Sequence, residues 1–139
     1  MSNTILIVED EAITSLDLKF TLIELGYEVV DTVDNGQDAI DTAAELCPDL
    51  TIMDINLKGE MSGIEAAKKI LELNLAVIYL TANSDEATFQ EALEYSSASA
   101  FISKPFNKDS IKHNIDVAIT RHKIEAEKID LAHGFVKDQ

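Results

Sequence analysis

Four short apolar segments of this sequence end in side chains that can do chemistry. Residues 5–8 (Ile-Leu-Ile-Val) stop at Glu9-Asp10-Glu11, and residues 50–53 stop at Asp54-Ile55-Asn56. Residues 76–80 stop at Thr81-Ala82-Asn83, and Ala100-Phe101-Ile102 stops at Ser103-Lys104-Pro105-Phe106. If the segments before Glu9 and Asp54 lie side by side as strands, about 4.8 Å apart, then Glu9, Asp10 and Asp54 converge. Two carboxylates ~5 Å apart at an effective dielectric of about 20 repel by roughly 3 kcal/mol. Such a group must raise a pKa or take up a cation. Oxygen donors with one or two direct carboxylates and open water positions suit Mg2+. Each acid alone reads as a solvated loop residue; it is the group that points to a metal.

Lys104 alone reads equally well as a surface charge, and Thr81 as a strand residue or the cap of a following helix. Beside three acids a lysine has a use. It pairs with a carboxylate at rest and with a phosphoryl oxygen after group transfer. Thr81 adds a hydroxyl donor at the same level. Pro105 disfavours helical backbone at Lys104 and permits a cis bond before it. A nucleophilic carboxylate, a divalent-metal site, a cation and a hydroxyl together meet the needs of phosphoryl transfer to an aspartate. No glycine-rich phosphate loop is present, which argues against a nucleotide-driven kinase. No Ser/His/Asp or Cys/His arrangement is readable.

The elements that must position these residues follow from the hydropathy pattern. Strands are expected at 5–8, 27–33, 50–55, 76–80 and 98–102. Helices are expected at 11–25, 35–46, 63–73 and 84–95, and from 108 past 121. In the first helix Leu16, Phe20, Ile23 and Leu25 recur at helical spacing, and Gly26 stands where a helix ends. In the third, Ile64, Ala67, Ile70 and Leu71 share a face. In the last, Ile111, Ile115, Ala118 and Ile119 can face a core. Strict alternation of strand and helix predicts an α/β fold: a doubly wound, five-stranded parallel sheet of flavodoxin-like order 2-1-3-4-5 with five helices, the last extended. In such sheets ligands bind at the C-terminal strand ends, beside the switch point between strands one and three.

With 139 residues, the chain fits one ordinary domain and not two. The apolar and charged shares, 46% and 27%, are those of a globular protein. No apolar run approaches the ~20 residues of a membrane helix, and no signal peptide is readable. The single Cys47 cannot form an internal disulfide and is read as a structural thiol in a reducing compartment, the cytoplasm. A net charge of −15 argues against direct nucleic-acid binding. The acidity is uneven: residues 1–99 hold four lysines against 20 acids, and residues 100–139 hold seven lysines or arginines against six acids.

The sequence resembles the receiver domain of two-component response regulators, of the single-domain, chemotaxis-receiver-like kind. The matching segments are ILIVEDE at 5–11, TIMDIN at 51–56, GIEAAKKI at 63–70, IYLTAN at 78–83 and FISKPF at 101–106. Carried over by position, the resemblance implies that Asp54 is the phosphoacceptor. It implies that Asp10, Asp54 and the backbone carbonyl of Asn56 hold Mg2+, with Glu9 assisting through water. Thr81 and Lys104 would contact the phosphoryl group, and Phe101 would occupy the aromatic switch position that follows Thr81. Asn56 and Asn83 stand at positions that tune phosphate lifetime in this family. The implied partner is a sensor histidine kinase or phosphotransfer protein. Phosphorylation would then change the surface of the fourth helix, fifth strand and fifth helix, for partner binding or homodimerisation. Three features depart from the family pattern. Glu stands at position 9, where Asp is commoner. The loop 57–63 is about one residue longer than in the shortest receivers and lacks the usual proline, and residues 95–100 lack the glycines common before the fifth strand.

Two other classes remain on these residues: a Mg2+-dependent phosphohydrolase with an aspartyl nucleophile, and a degenerate receiver or flavin-binding relative. Asn56, where such hydrolases carry a second acid, disfavours the first. Intact Asp54, Thr81 and Lys104 disfavour the second. The expected boundaries are a receiver domain over 1–122 and a helical extension over 123–139. In that extension Ala126 and Ile129 either continue an apolar seam for a coiled-coil arm or lie on a solvated helix, and Gly134 is expected to end it. His113, His122 and His133 lack metal spacing and are read as surface residues.

Overall fold

The sheet is built from β1 (Thr4–Val8), β2 (Glu28–Val33), β3 (Leu50–Asp54), β4 (Val77–Ala82) and β5 (Ala100–Lys104). All four pairings are parallel, and the order is β2-β1-β3-β4-β5. The computed structural model describes residues 2–82 and 100–137. Within them the helices are α1 (Ala12–Glu24), α2 (Gly36–Leu46), α3 (Gly63–Glu72) and the C-terminal α4 (Lys108–Lys137). The helix expected at 84–95 and the position of Asn83 lie outside the described residues.

The continuous apolar character of β1 and β3 has a direct cause: both of their faces are covered. Ile5, Ile7, Leu50 and Ile52 pack with Leu18 and Leu22 of α1 and Ile111, Ile115 and Ile119 of α4. Leu6, Val8 and Met53 point the other way, against Ala39 and Ala43 of α2 and Ile64, Ala67 and Ile70 of α3. Local signals set the helix starts. The Asn35 side chain accepts the Asp38 N–H, and Ser62 Oγ accepts the Glu65 N–H. Gly26, at φ +96°, takes the left-handed turn that ends α1. At the far end of α1, Lys108 Nζ lies 2.7 Å from Glu24, and the Tyr27 hydroxyl donates to Asp116.

Three expectations are corrected. The stripe Leu16, Phe20, Ile23 and Leu25 reaches the core only at Leu25: the first three are 53%, 61% and 50% exposed, and Ile13 is 81% exposed. Leu18 and Leu22 make the contact instead. Helix α1 carries two apolar stripes, and periodicity alone does not choose between them. Second, β4 and β5 run two residues past their expected ends, so Thr81 and Lys104 belong to the sheet ladder, in the pairs Thr81↔Ser103 and Ala82↔Lys104. Third, Gly134 does not end α4, which continues to Lys137. An interior glycine costs a helix about 1 kcal/mol without forcing it to stop. No helix among the described residues is long and apolar enough to cross a membrane.

Candidate functional site at the C-terminal strand ends

Because β1 and β3 are neighbours with Val8 opposite Met53, the residues just after each are brought together. One ligand oxygen from each of Glu9, Asp10 and Asp54 lies within 4.8 Å of the others. From the far side of the sheet β5 delivers Lys104, whose Nζ stands 3.1 Å from Glu9 Oε2 and 4.0 Å from Asp54 Oδ2. These four side chains line one cavity of about 350 Å3 together with Glu11, Asn56 and Lys58. Glu9 and Asp54 are buried, at 3% and 5% exposure. The Lys104–Pro105 bond is cis.

Backbone donors fix the acids. Glu9 Oε1 accepts the Glu11 N–H at 3.0 Å, and Asp54 Oδ1 accepts the Asn56 N–H at 3.0 Å. Asp10 Oδ2 accepts the Lys58 N–H, also at 3.0 Å, which ties the β3–α3 loop over the site. Burial pushes the Glu9 carboxyl up to about 7, and the adjacent Asp54 carboxylate adds to the rise against the pull of the Glu11 N–H and Lys104. Burial works against the Lys104 charge, but its bond to Glu9 and the Asp54, Glu9 and Glu11 carboxylates outweigh it and raise its pKa. The rest-state cation is therefore held mainly by Glu9, with the Asp54 Oδ2 atom next in reach.

The chain belongs to the response regulator receiver domain family. The family model matches residues 5–116. Among curated relatives, the chemotaxis protein CheY of Thermotoga maritima is 36% identical over 113 residues, covering 80% of this chain and 92% of that protein. The transcriptional regulatory protein PdtaR of Mycobacterium tuberculosis is 36% identical over 120 residues, 86% of this chain; the match spans only 58% of PdtaR. In three dimensions the signal receiver domain of a modulated diguanylate cyclase from Desulfovibrio desulfuricans G20 is 34% identical with a TM-score of 0.84, covering 90% of this chain and 99% of that one.

In this receiver domain the expected residues Glu9, Asp10, Asp54, Asn56 and Lys104 share the cavity. Thr81 is buried one residue beyond Leu80, the ladder partner of Asp54. Phe101 is half-buried, with its ring 5.6 Å from that of Tyr79. Three contributors were not singled out from sequence: the backbone N–H groups of Glu11, Asn56 and Lys58. Main-chain donors leave no mark on residue type.

Proposed function

We propose that this domain is a phosphoacceptor switch in which Asp54 takes a phosphoryl group from a phosphohistidine of a sensor histidine kinase or phosphotransfer protein. The supporting observation is a buried aspartate at a strand end, with one oxygen occupied by a backbone N–H and the other facing a lysine across an acidic cavity. The donor set fits a hard divalent cation: every side-chain ligand is a carboxylate oxygen, and the three are close enough to share one ion. Asp10, Asp54 and the Asn56 carbonyl would hold Mg2+, and Glu9 would assist through water. When bound, the ion supplies positive charge for the oxygens of the transferring phosphoryl group.

The remaining work falls to the chain's own groups. An Asp54 carboxylate oxygen bonds to phosphorus as the P–N bond to the donor imidazole breaks, and the electron pair leaves with the donor. Lys104 shifts from Glu9 toward a phosphoryl oxygen, and the Thr81 hydroxyl donates to another. Phe101 follows Thr81, which transmits the change to the surface of β5, α4 and the fourth expected helix. Water later attacks phosphorus, and the O–P bond to Asp54 breaks. Such a cycle serves as a cytoplasmic signalling switch, catalytic only on itself.

The exposed stripe of α1 starts at Ile13, three residues after Asp10. It supports the approach of a helical donor over the acidic edge. The unbroken α4 supports a receiver domain over 1–122 with a helical extension over 123–139, through which, or through the β5–α4 side, two copies would pair. Sedimentation of the full chain against a chain ended at His122, with and without a phosphoryl mimic, checks that pairing; a monomer mass in all four samples contradicts it. The phosphoacceptor is tested by incubation with a small acyl-phosphate donor and Mg2+, borohydride trapping and peptide mass mapping. The modified peptide should contain Asp54; a modification mapped elsewhere contradicts the assignment.

A further inference from the structure

We propose that Gly63 is a positioning residue for Asp54, a role that rests on reading Asp54 as the phosphoacceptor. A Cβ built on Gly63 falls well inside van der Waals contact with the Asp54 carbonyl oxygen, and at 3.2 Å from both the Asp54 carbonyl carbon and the Ile55 carbonyl oxygen. All three are main-chain atoms, which cannot turn aside as a side chain does. Neither element gives way without breaking contacts. Helix α3 is pinned by the buried Ile64, Ala66, Ala67 and Ile70 and capped by Ser62. The end of β3 is held by its ladder to Leu80 and by the Ile55 N–H bond to the Leu80 carbonyl at 3.0 Å.

Conformation does not demand this glycine. Gly63 lacks the positive φ of Gly26 and Gly59, and alanine is the better helix former. What the glycine provides is the absence of a side chain at the contact. The first turn of α3 thereby rests directly on the peptide that carries Asp54, and fixes the height of the carboxylate and of the Asn56 carbonyl above the sheet edge. A methyl group there would lift residues 54–56 away from Glu9, Asp10 and Lys104. Displacements well below 1 Å matter to group transfer, because reacting atoms must be held at near-attack distance.

The test compares Gly63→Ala with two controls. Gly36→Ala adds a Cβ whose three nearest neighbours are side-chain atoms of Met61, at 2.9 Å from its sulfur, 3.0 Å from Cγ and 3.1 Å from Cβ, and none is a main-chain atom. Ile70→Val loosens the same helix at its other end. Circular dichroism and thermal midpoints establish folding; acetyl phosphate with Mg2+ gives the labelling rate; a Mg2+ titration and amide NMR shifts report on the site. We expect Gly63→Ala to label at least tenfold more slowly and to need more Mg2+, with shifts concentrated at residues 54–56, while both controls label within twofold of wild type. Labelling of Gly63→Ala within twofold of wild type overturns the proposal. So does a loss no larger than that of Ile70→Val at matched stability. If Gly63→Ala does not fold, Ile64→Ala, which loosens the same turn without adding an atom, takes its place; labelling equal to Ile70→Val then overturns the proposal, and a fivefold or greater slowing supports it. If wild type itself does not label, the phosphoacceptor reading fails, and the NMR shifts alone decide whether Gly63 sets the height of residues 54–56.

Discussion

Glu9 sits at the centre of the site's electrostatics, bonded to Lys104, pressed against Asp54 and almost fully buried. Its carboxyl titrates near 7 in the folded chain and near 4.5 without that environment. Between those values the folded state binds the extra proton, so the contribution of Glu9 to stability is complete below about pH 4.5 and is lost as pH rises through about 7. The metal-free protein should therefore be less stable at pH 8 than at pH 5. Glu9→Gln should remove part of that slope, gaining roughly 1–3 kcal/mol at pH 8 and little at pH 5; calorimetry in EDTA measures both, and equal slopes would refute the assignment. Thr51 offers a second residue-scale check. Its hydroxyl is buried with no hydrogen-bond partner among the described residues. Thr51→Val keeps the shape and removes an unsatisfied group, so it should leave stability unchanged or raise it by about 1 kcal/mol in urea titrations.

Among the elements, α1 separates what periodicity reveals from what packing decides. Leu22→Ala should cost about 2–5 kcal/mol, because Leu22 fills the core under β1. Phe20→Ser should change stability by less than about 1 kcal/mol, since that ring is 61% exposed. Urea denaturation of the two variants distinguishes the true core face from the outer stripe, and a large loss at Phe20 would reverse the assignment. The strands were legible because burial on both faces writes an uninterrupted apolar run, as in Ile5–Val8. The starts of α2 and α3 were expected within a residue of where they fall, and the structure supplies the caps there, Asn35 and Ser62. The inner face of α1 was not, because both of its stripes are apolar. The ends of β4 and β5 were placed too early for a different reason: the apolar runs stop before Thr81 and Lys104, although the backbone ladder carries through both. The pairing of Lys104 with Glu9 in preference to Asp54 depends on a difference of about an ångström between two acids, which no spacing in the sequence encodes.

For the whole molecule, the site exists only because the strand order β2-β1-β3-β4-β5 brings together residues far apart along the chain. Glu9 and Asp10 come from the first strand end, Asp54 from the third and Lys104 from the fifth. The same topology gathers carboxylates on a chain already at −15, so the fold keeps a repulsive cluster that a cation would relieve. The proposed role of this cluster is to phosphorylate Asp54. Intact mass after incubation with a small acyl-phosphate donor tests it most directly, with wild type, Asp54→Asn and an EDTA control run side by side. Wild type should carry a single phosphoryl adduct in the presence of Mg2+, and the other two samples none. An adduct of equal yield on Asp54→Asn, or one indifferent to EDTA, would contradict it.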